Sequence, residues 1–226
     1  QVTVQKDIGA PVITIISPEQ GAVFSSIAPS FNITVFDSQL DSIWYTIDNG
    51  LTNITIVSTV GTIDQIEWDK KGEVSVPLRF YANDTLGNTA YSENIIIKDT
   101  VQPVITINTP DSYDIFDSVP PSFDLSIVET NLDLVWYTLD GGITNISIFS
   151  SSGTIDQTEW NKFGNGTVSI QFYASDLAGS IGFSQVVVLK DIIAPLISIH
   201  VPSIFDVFGN NAPSFSLSIV YHIESN

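Results

Sequence analysis

Phe31-Asn32-Ile33-Thr34-Val35 alternates apolar and polar side chains, and the alternation returns at Phe123, Leu125, Ile127 and again at Phe215, Leu217, Ile219. A period of two sends every second side chain to the same face. It is the pattern of a strand with one face in a core and the other in water. The three stretches begin at 31, 123 and 215, two equal steps of 92 residues.

Other landmarks keep that step. Lys6-Asp7 with Pro11 becomes Lys98-Asp99 with Pro103, then Lys190-Asp191 with Pro195. Trp44 falls on Trp136, Gly61 on Gly153, Trp68 on Trp160 and Asp84 on Asp176. Laying 6–97 on 98–189 without a gap gives 41 identical positions out of 92. The chain is therefore an array of one unit. Residues 6–97 and 98–189 are read as two repeats, 1–5 as the last strand of a preceding repeat, and 190–226 as the truncated start of a third. Units of this size in tandem build length, spacing and surface rather than a single catalytic pocket.

Within a repeat, Val76, Leu78, Phe80 and Ala82 form a second inward stripe, matched by Val168, Ile170, Phe172 and Ala174. Further strands are expected over 12–16, 43–47, 54–57 and 91–97. Asp48-Asn49-Gly50 and Asp140-Gly141-Gly142 supply tight connections, since Asn and Gly tolerate positive φ. Pro77 cannot donate to a ladder and predicts an edge or a bulge; its partner in the next repeat is Ser169. Gly61–Trp68 breaks the alternation and reads as one helical turn, with Thr62 as N-cap and Gln65 three residues on. Trp68 and Trp160 would then close the core. About seven short strands in 92 residues predict an all-β chain of tandem immunoglobulin-like β-sandwiches with a short helical turn per repeat. Trp44 and Trp136 stand on the third strand, where such sandwiches often bury a Trp.

The net charge of −18 comes from 25 acidic against 7 basic residues. That field repels nucleic acid and anionic lipid, and no basic patch overrules it. With 43% hydrophobic residues the acidity is not that of a disordered tail. The longest apolar runs are too short to span a bilayer, so no direct membrane insertion is expected in this segment. Cysteine is absent, which removes disulfides and thiolate metal sites. Five N-x-Ser/Thr sequons occur, at Asn32, Asn53, Asn83, Asn145 and Asn165. Those at Asn53 and Asn145 are equivalent across repeats, and Asn32 and Asn53 fall on the polar phase of their strands. Both observations favour glycosylation, and with it an extracellular, cell-surface location.

Taken together, the runs "KD…APVITI…P", "PSFNITV", "WYTIDNG", "TNITI", "GTIDQ…EW" and "FYANDTLGN" resemble bacterial-type immunoglobulin-like repeats, closest to those of very large surface proteins of archaea, the Asgard group in particular. The resemblance covers the whole chain. It implies exported, modular proteins of surface layers, adhesins or extracellular fibres, and it implies no catalytic residues.

Chemistry-bearing residues are few. His200 and His222 both lie in the third stretch, without counterparts, and His200 replaces the apolar Ile16 of a strand. No nucleophile elbow, phosphate-binding Gly loop or His–carboxylate metal spacing is present. Calcium is the sharper expectation, because hard cations gather carboxylates and carbonyls from loops. In an immunoglobulin-like unit the start of the first strand and two inter-strand loops cluster at one end. Those places hold Asp7, Asp37, Asp41 and Asp84 in one repeat, and Asp99, Glu129, Asp133 and Asp176 in the next. Asp99, Asp133 and Asp176 are expected within a few Å of one another, with Glu129 near. The alternative for the same carboxylates is linker capping, Asx-turns and the Asp-x-x-Gly turn. Tyr45, Tyr81, Tyr137 and Tyr173 could form a sugar-binding strip, although strand packing explains them more simply.

The functional expectation is a structural repeat segment of a large exported surface protein, serving as spacer and assembly module. Its partners would be neighbouring repeats, copies of itself or other surface proteins. The rival is an adhesion or carbohydrate-binding module. A third reading makes the repeats spacers for an enzyme domain outside this stretch.

Overall fold

The computed structural model describes residues 9–220; the expected strand over 1–5, Asp7 and His222 lie outside the described residues. The chain divides into two compact units. One comprises the residues up to Pro103 together with Glu129–Asp133 and Ser175–Ile181; the other comprises Val104–Val128, Leu134–Ala174 and the residues from Gly182 onward.

The first repeat contributes β1 (Val12–Ser17), β2 (Val23–Phe24), β3 (Ser30–Phe36), β4 (Leu40–Thr46), β5 (Ile54–Ile56), β6 (Val60–Thr62), α1 (Gln65–Asp69), β7 (Ser75–Asp84) and β8 (Thr89–Lys98). They form a three-stranded sheet in the order β1-β3-β6 and a five-stranded sheet in the order β2-β8-β7-β4-β5. Pairing is antiparallel except between β2 and β8, which run parallel. The short β2 and β6 escape the alternation test because two or three residues cannot display a period.

The second repeat follows with β9 (Val104–Thr109), β10 (Ile115–Phe116), β11 (Ser122–Val128), β12 (Leu132–Thr138), β13 (Ile146–Ser147), β14 (Ser152–Thr154), α2 (Gln157–Trp160), β15 (Gly166–Asp176) and β16 (Ile181–Lys190). Its sheets, β14-β11-β9 and β10-β16-β15-β12-β13, have the same order. In the third stretch β17 (Leu196–Val201) pairs antiparallel with β18 (Ser216–Val220) as a two-stranded sheet. The fold is an all-β series of immunoglobulin-like sandwiches.

The stripes read from the sequence meet in the cores. Phe31 and Ile33 from β3 face Val76, Leu78, Phe80 and Ala82 from β7, and all are buried. Burying side chains of this size stabilises by about 1.5–3 kcal/mol each. Gly61 is required beside them, because a Cβ there would lie 2.8 Å from Phe31 Cζ. Gly153 has the same relation to Phe123 Cζ, also at 2.8 Å.

Of three local expectations, two are corrected and the third is met. The N-cap of α1 is Asp64, whose side chain accepts from the Glu67 amide; Thr62 belongs to β6. Gln65 does not close a capping box: its Oε1 accepts from Ala28 N at 2.9 Å, and its Nε2 donates to Ser26 O at 2.8 Å and to Asp69 Oδ1 at 2.6 Å. Second, Trp44 is only half-buried, whereas its neighbour Tyr45 is in the core. The pleat sends adjacent residues to opposite faces, and it is Tyr45 that points inward. The core Trp is Trp68 on α1, 0% exposed, as is Trp160 on α2. Third, Pro77 lies within β7, a strand with neighbours on both sides, but β4 pairs only with the Arg79–Asp84 stretch. At Pro77 the strand is locally an edge, so no ladder bond is lost.

Lys98 and Lys190 have a role that the repeat pattern marks but does not explain. Lys98 Nζ donates to Trp68 O and Lys71 O, both at 2.9 Å, and sits 5.5 Å from the Trp68 ring centroid. Lys190 Nζ donates to Trp160 O and Phe163 O, both at 2.8 Å. Each buried ammonium caps carbonyls at the end of the helical turn, where cations are favoured. Burial lowers the Lys190 ammonium below its ordinary value.

Candidate metal centre

Asp84 and Asp176 end β7 and β15 and begin equivalent turns, Asp84-Thr85-Leu86-Gly87-Asn88 and Asp176-Leu177-Ala178-Gly179-Ser180. The backbone is the same in both. Gly87 N donates to Asp84 O and Gly179 N to Asp176 O, each at 3.1 Å; Asn88 N and Ser180 N donate to the respective Oδ1, each at 2.8 Å. Both aspartates are 1% exposed.

Their second carboxylate oxygens differ. Asp84 Oδ2 accepts from the side-chain amide of Asn88 at 2.7 Å. In the second repeat that residue is Ser180, and Asp176 Oδ2 is buried with no donor. A buried oxygen of this kind without a partner costs about 1–3 kcal/mol.

Asp99 and Glu129 stand beside Asp176. One carboxylate oxygen from each of the three lies within 4.8 Å of the others. All three residues belong to the first compact unit, since the loops 129–133 and 175–181 pack with the residues up to Pro103. Asp99 is 8% exposed; its amide donates to Phe24 O at 2.9 Å, and its Oδ1 accepts from Val101 N at 3.1 Å. Asn131 ties the loop to it, donating from Nδ2 to Asp99 Oδ2 at 2.8 Å and from its backbone N to Glu129 Oε1, also at 2.8 Å. Leu177 N donates to Asn131 O at 2.8 Å. The three ion pairs of the described residues, Lys70–Glu67, Arg79–Glu93 and Lys162–Glu159, lie elsewhere. Two full charges at such a separation repel by about 3 kcal/mol at an effective dielectric near 20.

Asp133 does not join them. It is the second residue of β12, beyond the loop, and is exposed. In the first repeat Asp37 Oδ1 accepts from Gln39 N at 2.6 Å as an Asx-turn, and Asp41 Oδ2 accepts from Asn83 Nδ2 at 3.3 Å. Among the described residues Asp37, Asp41 and Asp84 form no convergent group of three. Burial alone would raise the Asp84 carboxyl, but hydrogen bonds from the Asn88 side chain and from the Asn88, Leu86 and Gly87 amides outweigh it and hold it below the usual range. Sequence reading found Asp99, Glu129 and Asp176. It missed Asn131 and residue 180, although the Asn88/Ser180 difference was visible in the alignment of the repeats.

The sequons divide in two. Asn53 and Asn145 are exposed, each one residue ahead of β5 or β13. Asn32 is half-buried on β3, Asn83 accepts from Ser42 Oγ and donates to Asp41, and Asn165 Oδ1 accepts from Ile192 N at 2.7 Å.

The aromatic strip also resolves into two sets. Tyr45 and Tyr137 are core residues whose hydroxyls accept from Asp64 N and Asp156 N, each at 2.7 Å. Tyr81 stacks on Trp44 at 5.4 Å and 3°, and Tyr173 on Trp136 at 5.5 Å and 6°. Tyr91 and Phe183 extend these rows across the third strand. The stacked faces are turned to one another rather than to a ligand.

No family model and no curated protein matches the chain. Solved structures similar to it include the fibronectin(III)-like modules of Clostridium thermocellum CbhA, with 14% identity, a TM-score of 0.48, and coverage of 80% of this chain and 94% of that one. Another belongs to a 1.5-MDa bacterial ice-binding adhesin described for host cell surface retention, with 13% identity, a TM-score of 0.44, and coverage of 86% and 70%. A Dscam structure described for isoform specificity shows 13% identity, a TM-score of 0.38, and coverage of 81% and 46%. All three scores are below 0.5, and the fold assignment rests on the strands and sheets of the chain itself.

Proposed function

We propose that this chain is a structural repeat segment of a large exported surface protein, of the archaeal type its motifs resemble, acting as spacer and assembly module in a surface layer, stalk or extracellular fibre. One observation carries the reading: the repeated residues are occupied in building the fold, and with nearly the same bonds each time. Trp68 Nε1 donates to Ser25 O and Trp160 Nε1 to Asp117 O, both at 3.1 Å. The Tyr hydroxyl to Asp amide bond and the Lys cap recur as closely. Repetition of stabilising bonds is what a spacer requires.

Chemistry supports the same reading. A cleft of about 730 Å³ beside β10 is lined mainly by Ile115, Phe116, Val119 and prolines, with Asp117 and Asp191 as its acids. It offers no nucleophile paired with a base. No helix of the described residues is long and apolar enough to cross a membrane. Partners are neighbouring repeats and copies of the same or other surface proteins, and the exposed Asn53 and Asn145 suit N-glycans. Rings stacked on each other along Trp44–Tyr81 and Trp136–Tyr173 make a sheet-stabilising ladder, which favours the spacer over a carbohydrate-binding module.

Antibody raised against this segment should label intact cells of the source organism by immunogold microscopy. Label that appears only after permeabilisation contradicts the proposal.

A further inference from the structure

We propose that Asp99, Glu129 and Asp176 hold one hard divalent cation, calcium by size, and that the short side chain of Ser180 leaves Asp176 Oδ2 open to it. The carboxylates alone would be only an acidic cluster. The second observation is the buried Asp176 Oδ2, which has no donor although Oδ1 accepts from Ser180 N and the backbone bonds of the turn match those at Asp84. An oxygen shielded from water and left without a proton donor, beside two further carboxylates, is the arrangement a cation satisfies.

Size favours calcium. Ligands at 2.3–2.6 Å around one ion are separated by at most about 4.6–5.2 Å, and at magnesium's 2.0–2.1 Å by at most about 4.2 Å. Three oxygens mutually 4.8 Å apart would stand about 2.8 Å from a common centre; the three here lie within that spacing, whose upper limit is nearer to calcium's 2.3–2.6 Å than to magnesium's 2.0–2.1 Å. Three carboxylates also leave one net negative charge against a divalent ion, with water to complete the shell.

The first repeat shows another way to satisfy that oxygen. Asn88 places an N–H on Asp84 Oδ2 at 2.7 Å, occupying the lone pair that Asp176 leaves open. An amide donor at that position does electrostatically what the cation does at the other. Ser180 is therefore the specificity-determining residue: its backbone still braces Oδ1 at 2.8 Å, while its short side chain leaves Oδ2 without a donor. Occupancy in the organism rests on the extracellular reading, where calcium is plentiful. Binding by the purified chain does not, so the two readings fail separately.

The test is calorimetric titration of the 226-residue chain with calcium chloride, and separately with magnesium chloride, after exhaustive chelation. Expected is one saturable calcium site, with Kd in the range of about 100–1000 μM common for extracellular modules and magnesium at least about tenfold weaker. Ser180→Asn should weaken calcium at least about tenfold while removing no carboxylate, and Asp176→Asn should abolish the site. Near-ultraviolet circular dichroism confirms that each variant is folded, and Asn88→Ser, which leaves the site's residues untouched, should bind as the parent does. Absence of a saturable site, or a site that survives Asp176→Asn, overturns the proposal. Equal affinity in folded Ser180→Asn overturns the role of residue 180.

Discussion

Asn88 Nδ2 donates to Asp84 Oδ2 at 2.7 Å, and Ser180, its counterpart, makes no such bond to Asp176. Two turns with matching backbone bonds thus differ in whether the second carboxylate oxygen has a donor. In the presence of chelator, Ser180→Asn should raise the melting temperature, because it supplies the missing donor. A gain worth about 1 kcal/mol, a few degrees for a domain of this size, is expected by scanning calorimetry. Adding calcium should then raise the parent's melting temperature more than the variant's. A variant less stable than the parent in chelator would show that Asp176 Oδ2 finds a partner elsewhere.

Tyr45→Phe should destabilise the first repeat by about 1–3 kcal/mol, since it leaves Asp64 N without its 2.7 Å acceptor beside the core. Tyr137→Phe should do the same to the second. Burial raises both phenol groups above their ordinary value, so neither contributes an ionisation near neutral pH. Denaturant titration reads the loss; a change within a few tenths of a kcal/mol would mean that water replaces the hydroxyl.

Gly61→Ala should cost about 1–3 kcal/mol by forcing Phe31 off its 2.8 Å approach. Gly50→Ala should destabilise for a different reason, a φ of 93° that a Cβ resists. The double variant should be nearly additive in urea unfolding, because one change acts in the core and the other at a loop tip.

Acid should weaken the β4–β5 loop. Burial raises the Asp48 carboxyl, but hydrogen bonds from the Thr46 hydroxyl and from the Thr52 backbone and side chain outweigh it and bring it down to about 2. Asp140 is held well below the usual range, first by the Thr144 amide and then by the Thr138 hydroxyl. Folded values below the unfolded one mean stability present above pH 4 and lost as pH falls toward 2. Because Asp48 is partly exposed, about 1 kcal/mol is expected there rather than the full shift. Asp48→Asn should flatten that part of the stability–pH curve; an unchanged slope would assign the acid sensitivity to other carboxylates.

The fold was legible because its signals are periodic and duplicated. Alternation at Phe31–Val35 and Val76–Ala82 fixed both core stripes, and the 92-residue step showed which residues mattered twice. What stayed hidden was phase and partner. Trp44 and Tyr45 are adjacent, and no rule of composition states which faces inward. Thr62 and Asp64 both offer an N-cap oxygen, and the strand pairing of Thr62 with Ser30 decided for Asp64. At the candidate metal centre the carboxylates were readable from loop positions. Asp133 was not separable from them, because one residue of strand extension carries it out of the loop. The open acceptor of Asp176 was legible only as an unremarked Asn-to-Ser difference.

The central claim is that this chain is a series of separately folding spacers, and pulling a single chain between its ends tests it most directly. Each 92-residue repeat should give its own unfolding event of about 300 Å, from an extended length near 3.3–3.6 Å per residue. Two such events per chain are the expected result. One event of about twice that length, or a gradual extension with no events, would contradict the account.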